Sequence, residues 1–298
     1  MLLCGCMLRH KPVVPEPARG PALDSLFRID QARGDSAARS SDALLATFAA
    51  DAAYLRAGVP VIYGRDAAAR IIRTTDIEHG PTVWEPLGGG VSNDLRSAYT
   101  YGVLVRTSME KNRPTHFGRY LAYWERGRLD PWRIVAYVDV GSAPIASANI
   151  VDSAKKPPVE ASLPKAVADA RMQLRSADSA FSDLSYRMGT GFAFSNTAAD
   201  DGVLFGSPEL RVGPRAIREG FALDNERSSL TWMPVFVGIA GSMDLGYTIG
   251  EYVSTGVGPS GAAVQRIGKY LTVWRKQKDG HWRFVADAGN SSPPPASR

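Results

Sequence analysis

Cysteine is almost missing from this chain: Cys4 and Cys6 are its two copies, both within the first six residues. Neither a disulfide framework nor a Cys-built zinc site can therefore organise the folded part. Histidine is scarce as well, with His10, His79, His116 and His281 widely spaced and no HExxH pair among them, so no metal site is expected, and no cofactor of any kind is expected. Long hydrophobic runs are lacking too: the most apolar stretch, about residues 232–241, is far shorter than the ~20 residues that span a bilayer. Nor is charge of one sign gathered anywhere. The net +5 divides into +3 over residues 1–149 (18 Lys+Arg, 15 Asp+Glu) and +2 over the remainder, and no basic run exceeds Lys155-Lys156. Nucleic-acid readers concentrate their charge on one face, so no nucleic-acid partner is expected. Two nucleotide and hydrolase signatures fail as well. Gly88-Gly89-Gly90 is not followed by Lys-Ser/Thr, and no serine sits in a Gly-x-Ser-x-Gly elbow.

What is present is a repeat. At 298 residues the chain has room for two domains, and its six tryptophans fall into three pairs: Trp84 with Trp232, Trp124 with Trp274, Trp132 with Trp282, separated by 148, 150 and 150 residues. Around them Ala49-Ala50-Asp51 matches Ala198-Ala199-Asp200, and Gly64 matches Gly213. Further on, Tyr99-Thr100 and Gly102 match Tyr247-Thr248 and Gly250, and Gly118 with Tyr120-Leu121 matches Gly268 with Tyr270-Leu271. A period near 150 is a domain length rather than a solenoid repeat, so the chain is a tandem duplication. Pro-rich stretches mark its joints. They predict an N-terminal anchor or linker over 1–21, a first domain over 22–141, a linker over 142–164, a second domain over 165–290 and a tail over 291–298.

Each copy reads as helices first and sheet last. Leu23, Leu26, Phe27 and Asp30, like Val167, Met172, Leu174 and Phe181, recur near helical spacing. A short extended piece follows, then a glycine turn at Gly64 or Gly213 into a further helix, which Pro214 suits as an early helical residue. From Trp84 and Trp232 onward, β-branched and aromatic residues broken by glycine predict three or four antiparallel strands. The expected class is α+β: two tandem cone-shaped domains, each with helices packed in a curved antiparallel sheet.

The run Gly268-Lys269-Tyr270-Leu271-Thr272-Val273-Trp274, the Asp279-Gly280-His281-Trp282-Arg283 segment and Asp244-Leu245-Gly246-Tyr247-Thr248-Ile249-Gly250 resemble the terminal strands of the DUF4440/SnoaL-like group of the NTF2-like superfamily. Ketosteroid isomerases and polyketide cyclases are relatives in that superfamily. The resemblance implies an apolar cavity between sheet and helices and a small hydrophobic ligand. It further implies that any chemistry is proton transfer next to a carbonyl, by a carboxylate and an oxyanion donor. The region that carries the isomerase aspartate holds no acid at the expected place here. Asp139 and Asp287, near the end of the last strand of each copy, are the candidate general bases, as in the cyclases. Arg56, Tyr99, His116, Tyr120, Tyr247, Arg266 and Tyr270 are candidate ligand contacts, with Tyr101 and Arg106 as further polar positions of the first copy and Arg211, Glu251, Tyr252 and Lys269 of the second. Polar positions differ between the copies, so at most one pocket is expected to keep a specific ligand. The alternative is a non-enzymatic assembly module, since such domains pair through their sheet faces. A tandem copy would then form an intramolecular pseudo-dimer, or the faces would support a homo-oligomer.

Leu3-Cys4-Gly5-Cys6 resembles the lipobox of bacterial lipoproteins. This implies lipidation at Cys6, a membrane link through that anchor alone, and an extracytoplasmic location; the other reading is a cytoplasmic protein with an unanchored N-terminus.

Overall fold

The computed structural model describes residues 20–37, 41–79, 82–106, 116–141, 163–205, 209–222, 229–257 and 260–293. Cys6, nearly all of the expected leading segment and 142–164 linker, and residues 294–298 of the expected tail lie outside these. The chain folds into two sets of elements in the same order. The first comprises helices α1 (Pro21–Ala37) and α2 (Ser41–Leu45), strands β1 (Phe48–Leu55) and β2 (Ile62–Tyr63), helix α3 (Arg65–His79), and strands β3 (Thr82–Val91), β4 (Ser97–Arg106), β5 (His116–Glu125) and β6 (Arg133–Val140). The second comprises α4 (Lys165–Met188), α5 (Thr190–Thr197), β7 (Ala198–Phe205), β8 (Leu210–Val212), α6 (Gly213–Ala222), β9 (Ser229–Ile239), β10 (Leu245–Val257), β11 (Ala263–Lys276) and β12 (Trp282–Ser291). Pro21 opens α1, where its missing N–H costs nothing. Gly64 and Gly213 take positive φ (98° and 81°) at the entry to the third helix of each set, a conformation that other residues resist.

The two six-stranded sheets have matching orders, β2-β1-β6-β5-β4-β3 and β8-β7-β12-β11-β10-β9. One expectation needs correction: the sheets are mixed, because β1 runs parallel to β6 and β7 parallel to β12. The long connection through the third helix and three further strands returns the chain beside β1 in the same direction, which a hairpin cannot do. Breaks in register recur at corresponding places, between Tyr123 and Trp124 in β5 and between Val273 and Trp274 in β11. Such bulges bend a strand and curl the sheet around its helices. Trp124 and Trp274, fully buried on the concave faces, donate Nε1–H to Thr100 (2.8 Å) and Thr248 (2.9 Å). Each buries a large apolar surface while satisfying its one donor.

A third core lies between the sheets. Tyr99, Tyr101, Leu121, Tyr123 and Val138 pack with Val203, Tyr247, Ile249, Leu271 and Val285, and the Tyr123 and Tyr247 rings lie 4.5 Å apart. The hairpin tips exchange hydrogen bonds: the Asn93 N–H donates to the Asp244 carboxylate (3.1 Å to Oδ2) and the Ser242 N–H to Asp94 Oδ2 (3.1 Å). Asn290 Nδ2 donates across the interface to the carbonyls of Leu55 (3.0 Å) and Asp139 (2.8 Å). The sheet faces expected to support a homo-oligomer are therefore covered within one chain, because each domain has the other as its partner.

Candidate functional site

The concave interiors of the two domains start from one plan. Asp30 on α1 and Asp178 on α4 are fully buried, and each accepts a hydrogen bond from a tyrosine of the central strand: Tyr120 (2.7 Å) and Tyr270 (2.9 Å). From there the domains diverge. In the first, Arg33 binds Asp30 at 2.6 Å and lies 4.9 Å from the Trp84 ring centroid and 5.3 Å from that of Tyr120. Burial opposes its charge, while Asp30 and the surrounding tyrosines support it. Trp84 Nε1 donates to the Tyr137 hydroxyl at 2.7 Å, and the rings of Tyr120 and Tyr137 stack. The guanidinium and the rings of Trp84, Tyr120, Trp124 and Tyr137 thus pack together at the positions that line the second domain's interior. In the second, Phe181 takes the place of Arg33, the equivalent of Tyr137 is Asp287, and Trp232 Nε1 donates to Asp178 instead, at 2.7 Å.

These exchanges leave the second interior open. A cavity of about 450 Å³ is lined by Phe194, Leu204, Phe221, Trp232, Tyr270 and Asp287, with Arg211, Tyr252, Ser254 and Arg266 among its polar residues. Asp287 is 9 % exposed and accepts from the Thr272 hydroxyl on the neighbouring strand. Burial pushes its carboxyl up to about 7; the Thr272 hydrogen bond works against this and the nearby Asp178 adds to it. Burial also raises Asp178, opposed by hydrogen bonds from Thr248, Trp232 and Tyr270. Tyr270 is held well above the usual phenol range by burial and by Asp178, so its hydroxyl keeps its proton. The cavity thus presents a carboxyl that gains and loses its proton near neutrality beside a protonated phenol and apolar walls.

Of the residues singled out in the sequence, Asp287, Tyr270, Arg266, Arg211 and Tyr252 meet in this cavity. The others lie elsewhere. Asp139 is not the equivalent of Asp287: it sits opposite Tyr120 on β5, whereas Asp287 sits opposite Thr272 on β11. Its true counterpart is Gly289, a shift of two residues that keeps the strand face and so leaves no trace in the alternation pattern. Asp139 and Arg56 form a buried ion pair at 3.2 Å. Tyr99 and Tyr247 belong to the core between the sheets, with no opening to the cavity. Tyr120 is committed to Asp30 in the filled interior. His116 begins β5, opposite Arg106. Sequence reasoning did not assign a role to Asp178, Arg33 or Phe181. The available signal was an acid four residues after a core leucine on the first helix of both copies, Leu26 to Asp30 and Leu174 to Asp178. Among the described residues, no group of three or more His, Cys, Asp or Glu is placed to hold a metal ion, and no helix is long and apolar enough to cross a membrane.

Both domains hold their helices against a curved six-stranded sheet of the same strand order, and the chain is a tandem of two such α+β domains. No family model matches the sequence, and no curated protein matches it. Among solved structures, the chain is similar to a ketosteroid isomerase-like protein from Erwinia carotovora atroseptica (18% identity, 43% of this chain and 98% of that one, TM-score 0.36). It is also similar to an NTF2-like protein with a cystatin-like fold from Novosphingobium aromaticivorans (18% identity, 44% and 86%, TM-score 0.34). A third similar structure is the association domain of C. elegans CaMKII (16% identity, 43% and 100%, TM-score 0.34).

Proposed function

We propose that the second domain binds a small, largely apolar carbonyl compound in its cone cavity, and that Asp287 moves a proton at the carbon next to the carbonyl. The observation that carries this reading is a buried carboxyl, poised near neutrality, facing an apolar cavity beside a phenol. In its ionised form Asp287 takes the proton from that carbon, and the C–H electron pair moves into an enolate. Once Asp178 is protonated it donates to Tyr270, which frees the Tyr270 hydroxyl to donate to the enolate oxygen. Returning the proton from Asp287 to another carbon completes an isomerisation. The first domain serves as the folding partner, its interior closed by Arg33 and its sheet packed against the second. That observation also favours the second reading, in which the pair is an assembly module without turnover.

Solvent-deuterium exchange at the α-carbon of a fused-ring ketone such as β-tetralone, followed by NMR, tests the reading. The wild type should accelerate exchange and Asp287→Asn should lose the acceleration while its melting temperature, measured at pH 4, stays close to that of the wild type. Equal rates for the two proteins would remove Asp287 from the mechanism, and no acceleration by either would favour the assembly reading.

A further inference from the structure

Along β11 the residues facing the hollow of the second domain step outward from Trp274 through Thr272, Tyr270 and Gly268 to Arg266. At ~3.3 Å per residue, Arg266 stands about 13 Å beyond Tyr270 along the strand. Ser254 lies opposite it on β10, and Tyr252 opposite Gly268, where a Cβ would overlap the Tyr252 ring. On the facing side Arg211 leaves β8 and lies over Phe221, its guanidinium 5.5 Å from the ring centroid. All four residues line the same cavity as Asp287. Neither Arg211 nor Arg266 forms an ion pair or a hydrogen bond with another described residue, although the chain ties down many of its other arginines. The positions equivalent to Arg211 and Tyr252 in the first domain are Ile62 and Leu104, both fully buried. Ser254 and Arg266 correspond to the polar pair Arg106 and His116, so Arg211 and Tyr252 are the rim residues particular to the second domain.

Resting on the cavity reading above, we infer that the ligand of the second domain is an elongated apolar molecule whose outer end carries an anion of the carboxylate or sulfonate type. Arg211 and Arg266 hold that anion, and its carbonyl end lies inward by Asp287 and Tyr270. A guanidinium presents planar paired donors that match an oxyanion, and the Tyr252 and Ser254 hydroxyls add neutral donors beside it. The polarity also fixes the direction of entry. An anion near the inner end would meet Asp287 and Asp178 with no cation lining the cavity there, whereas at the outer end it meets two guanidiniums. The apolar stretch between the two ends, walled by Leu204, Phe221 and Leu230, suits a body of two fused or linked rings.

Two fluorescent probes of one shape separate this inference from the reading beneath it: anilinonaphthalene sulfonate, and N-phenylnaphthylamine, which lacks the sulfonate. At low salt the full chain should bind the sulfonate about tenfold more tightly than the neutral probe, and added salt should shrink the difference. The Arg211→Gln/Arg266→Gln double variant should lose that preference and bind the neutral probe within about twofold of the wild type. Arg266 is exposed, so Arg266→Gln alone, checked by its melting curve, provides a folded variant should the double variant fail to fold; it should lose part of the preference. Equal affinities for the two probes in the wild type, or a preference that survives in the folded arginine variants, would overturn the anion assignment and leave the cavity reading standing. Failure of both probes to bind would overturn the cavity reading and this inference with it.

Discussion

Arg33 and Phe181 occupy the same turn of the leading helix in the two domains, and their exchange changes what packs around the buried aspartate beside them. The arginine brings a charge into a closed core, where Asp30 at 2.6 Å balances it and Trp84 and Tyr120 pack on its faces. Phenylalanine in the same place packs edge-on against Trp232 with ring centroids 4.5 Å apart and leaves Asp178 without a neighbouring ion pair of that kind. Trp232 responds by turning its N–H to Asp178, whereas Trp84 gives its own to Tyr137. Two substitutions, the helix residue and tyrosine for aspartate on the last strand, thus accompany one change of hydrogen-bond acceptor for the tryptophan.

Arg33→Met should destabilise the protein severely, because it leaves Asp30 buried with no cation. Breaking one side of a buried pair costs about 3 to 5 kcal/mol. Asp30→Asn in the Arg33→Met background should recover most of that loss, since it removes the stranded charge. Urea unfolding of the two single variants and the double variant measures the coupling; additive losses would mean that the pair is not an energetic unit.

Asp287→Asn should stabilise the protein, and more so at high pH. The folded carboxyl titrates near 7 and an unfolded one near 3.9. Between those values the unfolded chain has given up its proton and the folded chain has not, so stability falls as pH rises through that window and stays low above it. The gap corresponds to about 4 kcal/mol at most. The variant should therefore be markedly more stable than the wild type at pH 8 and about equal at pH 4. A pH-independent difference would show that Asp287 is not the group responsible.

The duplication, the order of elements and the tryptophan anchors were legible in the sequence because large residues at a fixed period survive divergence. Tyr270, Asp287 and Arg266 were legible as polar residues on strand positions. The partnership of β1 with β6 was not, since parallel pairing over so long a connection leaves no local turn signature. Nor could the alternation pattern distinguish Asp139 from Tyr137 as the counterpart of Asp287. Tyr99 and Tyr247 looked like cavity residues because a strand face that packs on a second sheet reads the same as one that lines a hollow. Only the placement of one domain against the other separates the two.

Asn290→Leu should loosen the joint between the domains without touching either interior. The amide donates to two carbonyls of the first domain, at Leu55 and Asp139, and a leucine would leave both acceptors buried without it. Each such loss costs about 1 to 3 kcal/mol. Limited proteolysis and the urea midpoint should both report the weakening, while probe binding in the second cavity stays as in the wild type; an unchanged midpoint would mean that the apolar core between the sheets alone sets the association.

Lys269→Met should act in the opposite pH range from Asp287→Asn. Lys269 is fully buried, donates to the Ser291 carbonyl at 2.7 Å, and has its ammonium brought down to about 7 by burial and, secondarily, by Arg56. In the unfolded chain it would titrate near 10.4. Between these values the unfolded state holds more protons, so this residue makes stability rise with pH across that window, and below it the whole penalty remains. The methionine variant should gain stability over the wild type at pH 6, by at least about 1 kcal/mol after allowing for the lost hydrogen bond, and the gain should vanish by pH 10. Together the two buried groups give the wild type a stability minimum near pH 7, with Asp287 lowering the curve from the acid side and Lys269 raising it again on the alkaline side. Thermal unfolding measured from pH 4 to 10 checks this directly, and a smooth single maximum near neutrality would contradict the assignment of both groups.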